Sequence, residues 1–383
     1  MSPVPTSTNL KPKYSDTPET TADLDWAELV SLDLSTFTAP GGKAALAQQL
    51  KYAVHNVGFF YVTDFGISQE EVDRQFQLSQ EIFDLPLETK LKHKADHKSA
   101  SYNGYNGPHV YEPDANEHHP RHNIEVYNLP KFTAHFPPAS SHPQLVQYNW
   151  DTIVSFGKRI HTNVVERLLV LFAIVLELED ENYFVARHEY EAKGEDHMRY
   201  MKYAARSDAV NEEAQGLYST GHTDLGSITL LFRQPIAGLQ ILHSDGKYRW
   251  VKAIPGTITV NIADTLSLLS GRYLKSSIHR VSVPPPDQRH LDRHGILFFI
   301  RPNNDVKVEV VKKSPLLERE GVYTTLEERP DPIDVGTWVT KRQEHIFKEG
   351  YKISSASSGK EGEGQERTDL EAIIAGVKVK YWN

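Results

Sequence analysis

Cysteine is missing from this 383-residue chain, and methionine occurs only three times. The first absence excludes disulfides, thiolate metal sites, iron–sulfur clusters and cysteine nucleophiles, so a bound metal must take nitrogen or oxygen ligands. No apolar run approaches the roughly 20 residues that a membrane-spanning helix needs. The opening MSPVPTSTNLKPKYSDTPETTADLDW has no apolar core of the secretory kind, which predicts a cytoplasmic protein without a membrane partner. No cluster of lysine and arginine with interleaved aromatics breaks a formal net charge of −9, so nucleic acid finds no footing and a small-molecule substrate is expected. A phosphate-cradling glycine loop is also lacking, which sets aside nucleotide-dependent dehydrogenases and kinases. The sequence carries no sign of oligomeric state.

What is present is 39% hydrophobic residues, ample for a large core, and 18 histidines. Most of the histidines, His93 and His142 among them, read as ordinary surface residues. Residues 1–24 read as a disordered arm, because their prolines, serines and threonines bury too little surface to offset chain entropy. LVSLDLSTF then reads as a short strand and turn. KAALAQQLKYAVHNV has helical spacing up to Gly58, and GFFYVTDFGI reads as a buried strand. In SQEEVDRQFQLSQEIFDLPLETKLKH, Ser68 is the predicted N-cap and Pro86 the predicted break. Glycines, prolines, histidines and aromatics between Lys94 and His142 predict loop with a few strands. PQLVQYNWDTIVSFGKRIHTNVVERLLVLFAIVLEL is the longest helical pattern and reads as a core helix against a sheet. From His197 to Pro302 short β-rich runs alternate with turns, as a sandwich or jelly roll requires. The tail continues through WVTKRQEHIFKEG, a helical pattern, to SSASSGKEGEGQER, a weakly structured linker.

Within the β-rich region, a His-x-Asp pair followed by a later histidine would give a 2-His-1-carboxylate facial triad, a geometry that favours iron(II) and leaves open coordination positions. Placed on a strand, the paired residues share a face. The pattern occurs three times, at His222 and Asp224, His243 and Asp245, and His290 and Asp292, so context must choose. His243 and Asp245 lie in HSDGK, where Asp-Gly has a complete turn explanation. His290 and Asp292 lie in the polar PPPDQRHLDRH. Only His222 and Asp224 lead directly into an apolar strand, GSITLLF. The third ligand is then His279, in the alternating SSIHRVSV. Arg293, fourteen positions further on at the head of GILFFIRP, is placed to grip a carboxylate bidentately.

At GHTD, SSIHRV and RHGILFF the chain resembles the iron(II) and 2-oxoglutarate-dependent dioxygenase superfamily, in the branch containing isopenicillin N synthase. The resemblance runs from about Asp25 to Pro302 and includes NVGFFYVTDFGI and IFDLPLETKLKH. It implies an α+β, mainly β fold: a distorted double-stranded β-helix, or jelly roll, braced by N-terminal and long central helices. The implied divisions are an N-terminal dioxygenase region at 25–145, a helix plus iron-binding jelly-roll core at 146–302, and a C-terminal extension at 303–383 that packs on the core, with a flexible segment near 353–368.

The resemblance also implies iron(II) on His222, Asp224 and His279, with 2-oxoglutarate and O2 as cosubstrates. Arg293 takes the position that binds the distal carboxylate of 2-oxoglutarate, and Tyr203 the position of a tyrosine that touches the same cosubstrate. Asn261 and Asp264 match a structural signature and are assigned to the fold. Two positions depart from the family pattern. Arg-x-Ser becomes Arg293-His294-Gly295, and the asparagine two residues before the tyrosine becomes Met201. The substrate pocket is expected to draw on Tyr105, His109, Arg121, His122, Glu125, Tyr127 and Phe299. The expected activity is oxidation, by default hydroxylation, of a small organic molecule in specialised metabolism. The alternatives are an iron oxidase without 2-oxoglutarate and a non-catalytic jelly-roll binding protein.

Overall fold

The computed structural model describes residues 13–96, 101–108, 123–325, 332–356, 369–374 and 377–382. Its strands are β1 (Ser31–Asp33), β2 (Phe59–Thr63), β3 (Gly104–Asn106), β4 (Ile124–Pro130), β5 (His197–Tyr203), β6 (Leu217–His222), β7 (Ile228–Phe232), β8 (Leu239–Leu242), β9 (Tyr248–Trp250), β10 (Ile258–Ile262), β11 (His279–Ser282), β12 (Arg293–Ile300), β13 (Asp369–Ile374) and β14 (Val377–Trp382). An eight-stranded sheet, ordered β1-β2-β10-β7-β12-β5-β4-β3, faces a four-stranded sheet, β6-β11-β8-β9. Apart from the β8–β9 pair, successive strands between β6 and β12 cross from one sheet to the other, which is the winding of a jelly roll. β13 and β14 form a separate hairpin.

Alternation along β12 decides what each side chain meets. Ile296, Phe298 and Ile300 join the apolar core under the helices Gln69–Phe83, Trp150–Ile160 and Glu166–Val175. Arg293, Gly295, Leu297 and Phe299 point the other way, toward the smaller sheet. The helix Gln69–Phe83 begins with a capping box in which Ser68 Oγ accepts from Glu71 N and Glu71 returns to Ser68 N, and it ends ahead of Pro86. The long central pattern is a short helix, Gln144–Tyr148, and after a break at Asn149 a rod from Trp150 to Val175 with a turn of π-helix at His161–Val165. Gly58, at φ 79°, turns the first helical segment into β2; a Cβ there would lie 2.4 Å from the Lys275 carbonyl oxygen, so only glycine fits.

Three expectations change. Residues 13–24 are part of the fold: Tyr14 is buried, stacks on Phe76 at 4.9 Å and accepts a hydrogen bond from His294 N at 2.9 Å. Polar contacts follow it along the chain: Arg233 donates to Ser15 and Glu19, and Asp287 accepts from Thr20 and Thr21. Residues 1–12 and most of the linker lie outside the described residues, but 353–356 close the helix Val335–Ala356. His142 is buried rather than at the surface, because Tyr127 Oη pairs with its Nδ1 at 2.8 Å and Trp150 stacks on its ring.

The helix Val335–Ala356 bears Trp338, fully buried, whose Nε1 donates to Thr265 Oγ1 at 3.3 Å. Val308, Val335, Trp338 and Val339 form a small second core there. No helix among the described residues is long and apolar enough to cross a membrane.

Candidate active site

β6 and β11 are neighbours in the smaller sheet, with His222 directly opposite His279. Their rings lie 4.4 Å apart. His222 is the last residue of its strand, and Asp224 stands in the turn before β7 rather than on the strand with it. That turn is fixed by its backbone, since Asp264 N donates to the Asp224 carbonyl at 2.8 Å. The Asp224 carboxylate therefore swings back between the imidazoles: Oδ1 lies 4.0 Å from His222 Nε2 and 3.9 Å from His279 Nε2. One ligand atom from each residue lies within 4.8 Å of the others, and no other such group of three appears among the described residues.

Every other polar atom of the trio is occupied. His222 Nδ1 donates to the Thr220 carbonyl at 2.9 Å and His279 Nδ1 to the Ser277 carbonyl at 3.2 Å, which leaves both Nε2 atoms as bare acceptors. Asp224 Oδ2 accepts from Thr229 Oγ1 at 2.7 Å and Asn261 Nδ2 at 2.9 Å, which leaves Oδ1 facing the imidazoles. Burial opposes ionisation of Asp224, yet His279, His222 and the two hydrogen bonds together hold its carboxyl below the ordinary range. Burial, helped by His222, pushes His279 down to about 4 and keeps it neutral. Two imidazole nitrogens and one carboxylate, with no thiolate, suit iron(II). The His222 side chain is 45% exposed and His279 only 9%, so the trio has one open side.

The other two His-x-Asp pairs have structural duties. Asp245 Oδ1 accepts from Lys247 N in its hairpin turn, and Asp292 Oδ1 accepts from Ala205 N.

Arg293 and Tyr203 are cross-strand partners on β12 and β5. Arg293 is 4% exposed; its Nε donates to the Ile236 carbonyl at 3.2 Å, and its guanidinium carbon lies 5.7 Å from the Tyr203 ring centre. Tyr203 stacks on Tyr218, and burial raises its pKa so that it remains a phenol. Among the described residues no ion pair reaches Arg293. A buried guanidinium without a counter-ion is costly, and the site fits an anion supplied by a ligand.

Further along the same face, Phe299 stacks on His197 at 4.7 Å and lies 4.6 Å from the Arg199 guanidinium carbon. Phe299 also sits opposite Thr229, which holds Asp224. Arg301, next on this face, is buried, and its Nε has no hydrogen-bond partner among the described residues.

Three pocket expectations are corrected. Glu125 pairs with Lys202, and Tyr105 with Tyr127; all four share the helix-facing side of the larger sheet, opposite to Arg293. There Glu125 accepts from Lys90 Nζ, Lys202 Nζ and Tyr105 Oη at 2.6, 2.6 and 2.7 Å, a network closed on itself. An odd or even position on β4 decides this, and composition does not reveal it. His109, Arg121 and His122 lie outside the described residues. Sequence reasoning passed over Thr229 and gave Asn261 to the fold; both side chains touch Asp224 directly. The available signal was strand parity: Thr229 is the one polar residue of β7, and Asn261 stands opposite it on β10.

Residues 29–147 match the family described as non-haem dioxygenase in morphine synthesis N-terminal, and residues 194–302 the 2OG-Fe(II) oxygenase superfamily. The chain belongs to the 2OG-Fe(II) oxygenase superfamily. This oxygenase is similar to a 2-oxoglutarate-dependent dioxygenase of Dothideomycetidae sp. (strain 11243), at 28% identity over 294 residues, 75% of this chain and 86% of that one. A second 2-oxoglutarate-dependent dioxygenase, from Didymella fabae, is 28% identical over 310 residues, 76% of this chain and 90% of its own. Among solved structures, a full-length Neurospora crassa protein crystallised in complex with alpha-KG and 5-formyluracil aligns with a TM-score of 0.70 at 25% identity, covering 84% of this oxygenase and 99% of that chain. The oxygenase is an oxidoreductase that uses iron(II), 2-oxoglutarate and O2 on a small molecule.

Proposed function

We propose that the oxygenase hydroxylates a small organic acid of specialised metabolism, with His222, Asp224 and His279 holding iron(II) and with Arg293 and Tyr203 receiving the distal carboxylate of 2-oxoglutarate. The observation that carries the ligand assignment is the convergence of three ligand atoms within 4.8 Å, each freed by a hydrogen bond to the atom behind it. When bound, iron and 2-oxoglutarate supply the oxidising power for O2-dependent attack on a C–H bond, with succinate and carbon dioxide as coproducts. The chain's own part is orientation. Thr229 and Asn261 fix which oxygen Asp224 presents, and Arg293 fixes the reach of the cosubstrate. His197, Arg199 and Phe299 wall the far side. A cytoplasmic setting, where iron stays reduced, suits this reading.

The assignment of Arg293 predicts that anaerobic titration of the iron-loaded protein with 2-oxoglutarate produces the weak visible charge-transfer band of the chelate. In Arg293→Ala the half-saturation point moves up by about 10-fold or more, the loss of one charge-assisted pair. Unchanged half-saturation in the variant would remove Arg293 from the cosubstrate site.

An acidic substrate is favoured by Arg301, a buried cation on the face that carries Phe299, with an unsatisfied Nε. Succinate release from 2-oxoglutarate is therefore expected to rise with carboxylic acids in a metabolite panel and to stay at background with their methyl esters. The reverse ranking would sink the acidic reading and leave the iron assignment standing.

A further inference from the structure

We propose that Gln234 gives the distal carboxylate of 2-oxoglutarate the hydrogen bond that a side-chain hydroxyl at position 295 would otherwise provide. The proposal rests on the assignment of Arg293 to that carboxylate. Position 295 is two residues beyond Arg293 on β12 and points to the same face, yet it is glycine. Its cross-strand partner is Met201. Both positions at which the superfamily pattern carries a polar side chain are therefore apolar here, and they are one site rather than two unrelated changes.

The vacated volume is filled. A Cβ built on Gly295 would lie 2.2 Å from Gln234 Nε2. A serine hydroxyl oxygen sits one covalent bond, about 1.5 Å, from its Cβ. The amide nitrogen thus takes up the volume of the absent hydroxyl and brings donor hydrogens to it. Gln234 is 6% exposed, and its Oε1 is buried with no hydrogen-bond partner among the described residues. That unpaired atom is an acceptor, so a carboxylate would pair with Nε2 alone and leave Oε1 as it is.

The segment that carries Gln234 is fixed around Arg293. Arg233 donates to the Ser15 carbonyl at 2.9 Å and to the Ala253 carbonyl at 3.2 Å. Ile236 offers its carbonyl to Arg293 Nε, and Ala237 N donates to Gln288 Oε1 at 2.8 Å. At Gly238 a Cβ would stand 2.9 Å from Arg293 Nε, so the backbone approaches the guanidinium where a side chain would intrude. The guanidinium and the amide are thereby presented from one bracket.

The test is a set of four variants of the full chain, iron-loaded and titrated anaerobically with 2-oxoglutarate by the charge-transfer band, with circular dichroism to check folding. Gln234→Met keeps the volume and removes the amide; its Kd for 2-oxoglutarate rises about 10-fold. Gln234→Ala does the same. Gly295→Ser alone also weakens binding, because the new Cβ collides with Gln234. The double variant Gln234→Ala with Gly295→Ser returns to within about threefold of the parent, since the hydroxyl then has both the space and the ligand. A parent-like Kd in Gln234→Met, or a double variant no better than either single one, overturns the proposal. A parent protein that binds iron but gives no band overturns the assignment of Arg293 as well, which separates the two failures.

Discussion

Asp224→Ala loses iron and all turnover. In this variant the two Nε2 atoms remain, but the only anionic ligand and the atom that bridges them at 4.0 and 3.9 Å are gone. A divalent ion would then rest on two imidazoles, one of them 45% exposed. The loss of affinity exceeds the roughly 10–100-fold typical of outer-shell changes. Thr229→Val and Asn261→Ala supply that smaller scale, because each removes one hydrogen bond to Oδ2 and leaves Oδ1 in place. Iron content after anaerobic loading and gel filtration, read alongside succinate release, orders the series as parent, outer-shell variants, then Asp224→Ala. Stoichiometric iron with full turnover in Asp224→Ala would overturn the assignment of the ligands.

Lys131→Met has the largest expected effect on stability. Lys131 and Asp196 are almost wholly buried, with Nζ 3.3 Å from Oδ2; Nζ also donates to the Glu189 carbonyl at 3.2 Å. Asp196 Oδ1 accepts from the Arg301 backbone N–H at 2.5 Å. The pair therefore ties the end of β4 to the start of β5 and the end of β12. Removing the lysine leaves a buried carboxylate without its cation, which costs about 3–5 kcal/mol. Adding Asp196→Leu to it recovers only part of the loss, since the stranded carboxylate is gone but the Arg301 N–H loses its acceptor. Denaturant unfolding of the parent, the single and the double variant reads this directly. A single variant within about 0.5 kcal/mol of the parent would mean the pair carries no net stability.

How much could be read from the sequence follows the range of the physics involved. Local signals were sound: Ser68 caps its helix, Pro86 ends it, and the β-rich runs from His197 to Pro302 are strands. GHTD and SSIHRV carry His222, Asp224 and His279, whose ligand atoms lie within 4.8 Å of one another, and RHGILFF carries the buried Arg293. Side-chain facing across the sheet was harder. Glu125 and Tyr127 lie among loop-like residues, and only the register of β4 with β5 shows that Glu125 shares a face with Lys202. Asn261 was assigned to scaffold because a sequence pattern does not separate a residue that holds the fold from one that holds a ligand; here it does both. Gln234 carries no motif at all. Its role becomes visible only when a loop and a strand 61 positions apart are brought into contact. Composition averages over a window and so hides the anchors of residues 13–24: Tyr14 stacks on Phe76, Arg233 holds Ser15 and Glu19, Gln288 holds the Pro18 carbonyl, and Asp287 accepts from Thr20 and Thr21.

The turn that carries Asp224 is held from a distance along the chain. Asp264 fixes it through a backbone hydrogen bond and through Thr223 Oγ1 at 3.0 Å, and Arg342, from the helix Val335–Ala356, lies 3.7 Å from the same Asp264 carboxylate. During synthesis the segments that carry His222, Asp224 and His279 emerge well before that arginine does, at a pace of about 5–20 residues per second. For those seconds the nascent site has its ligands but not the brace behind them. A chain ended before Val335 is therefore expected to keep His222, Asp224 and His279 and to retain iron less well than the full chain, read as iron content after gel filtration.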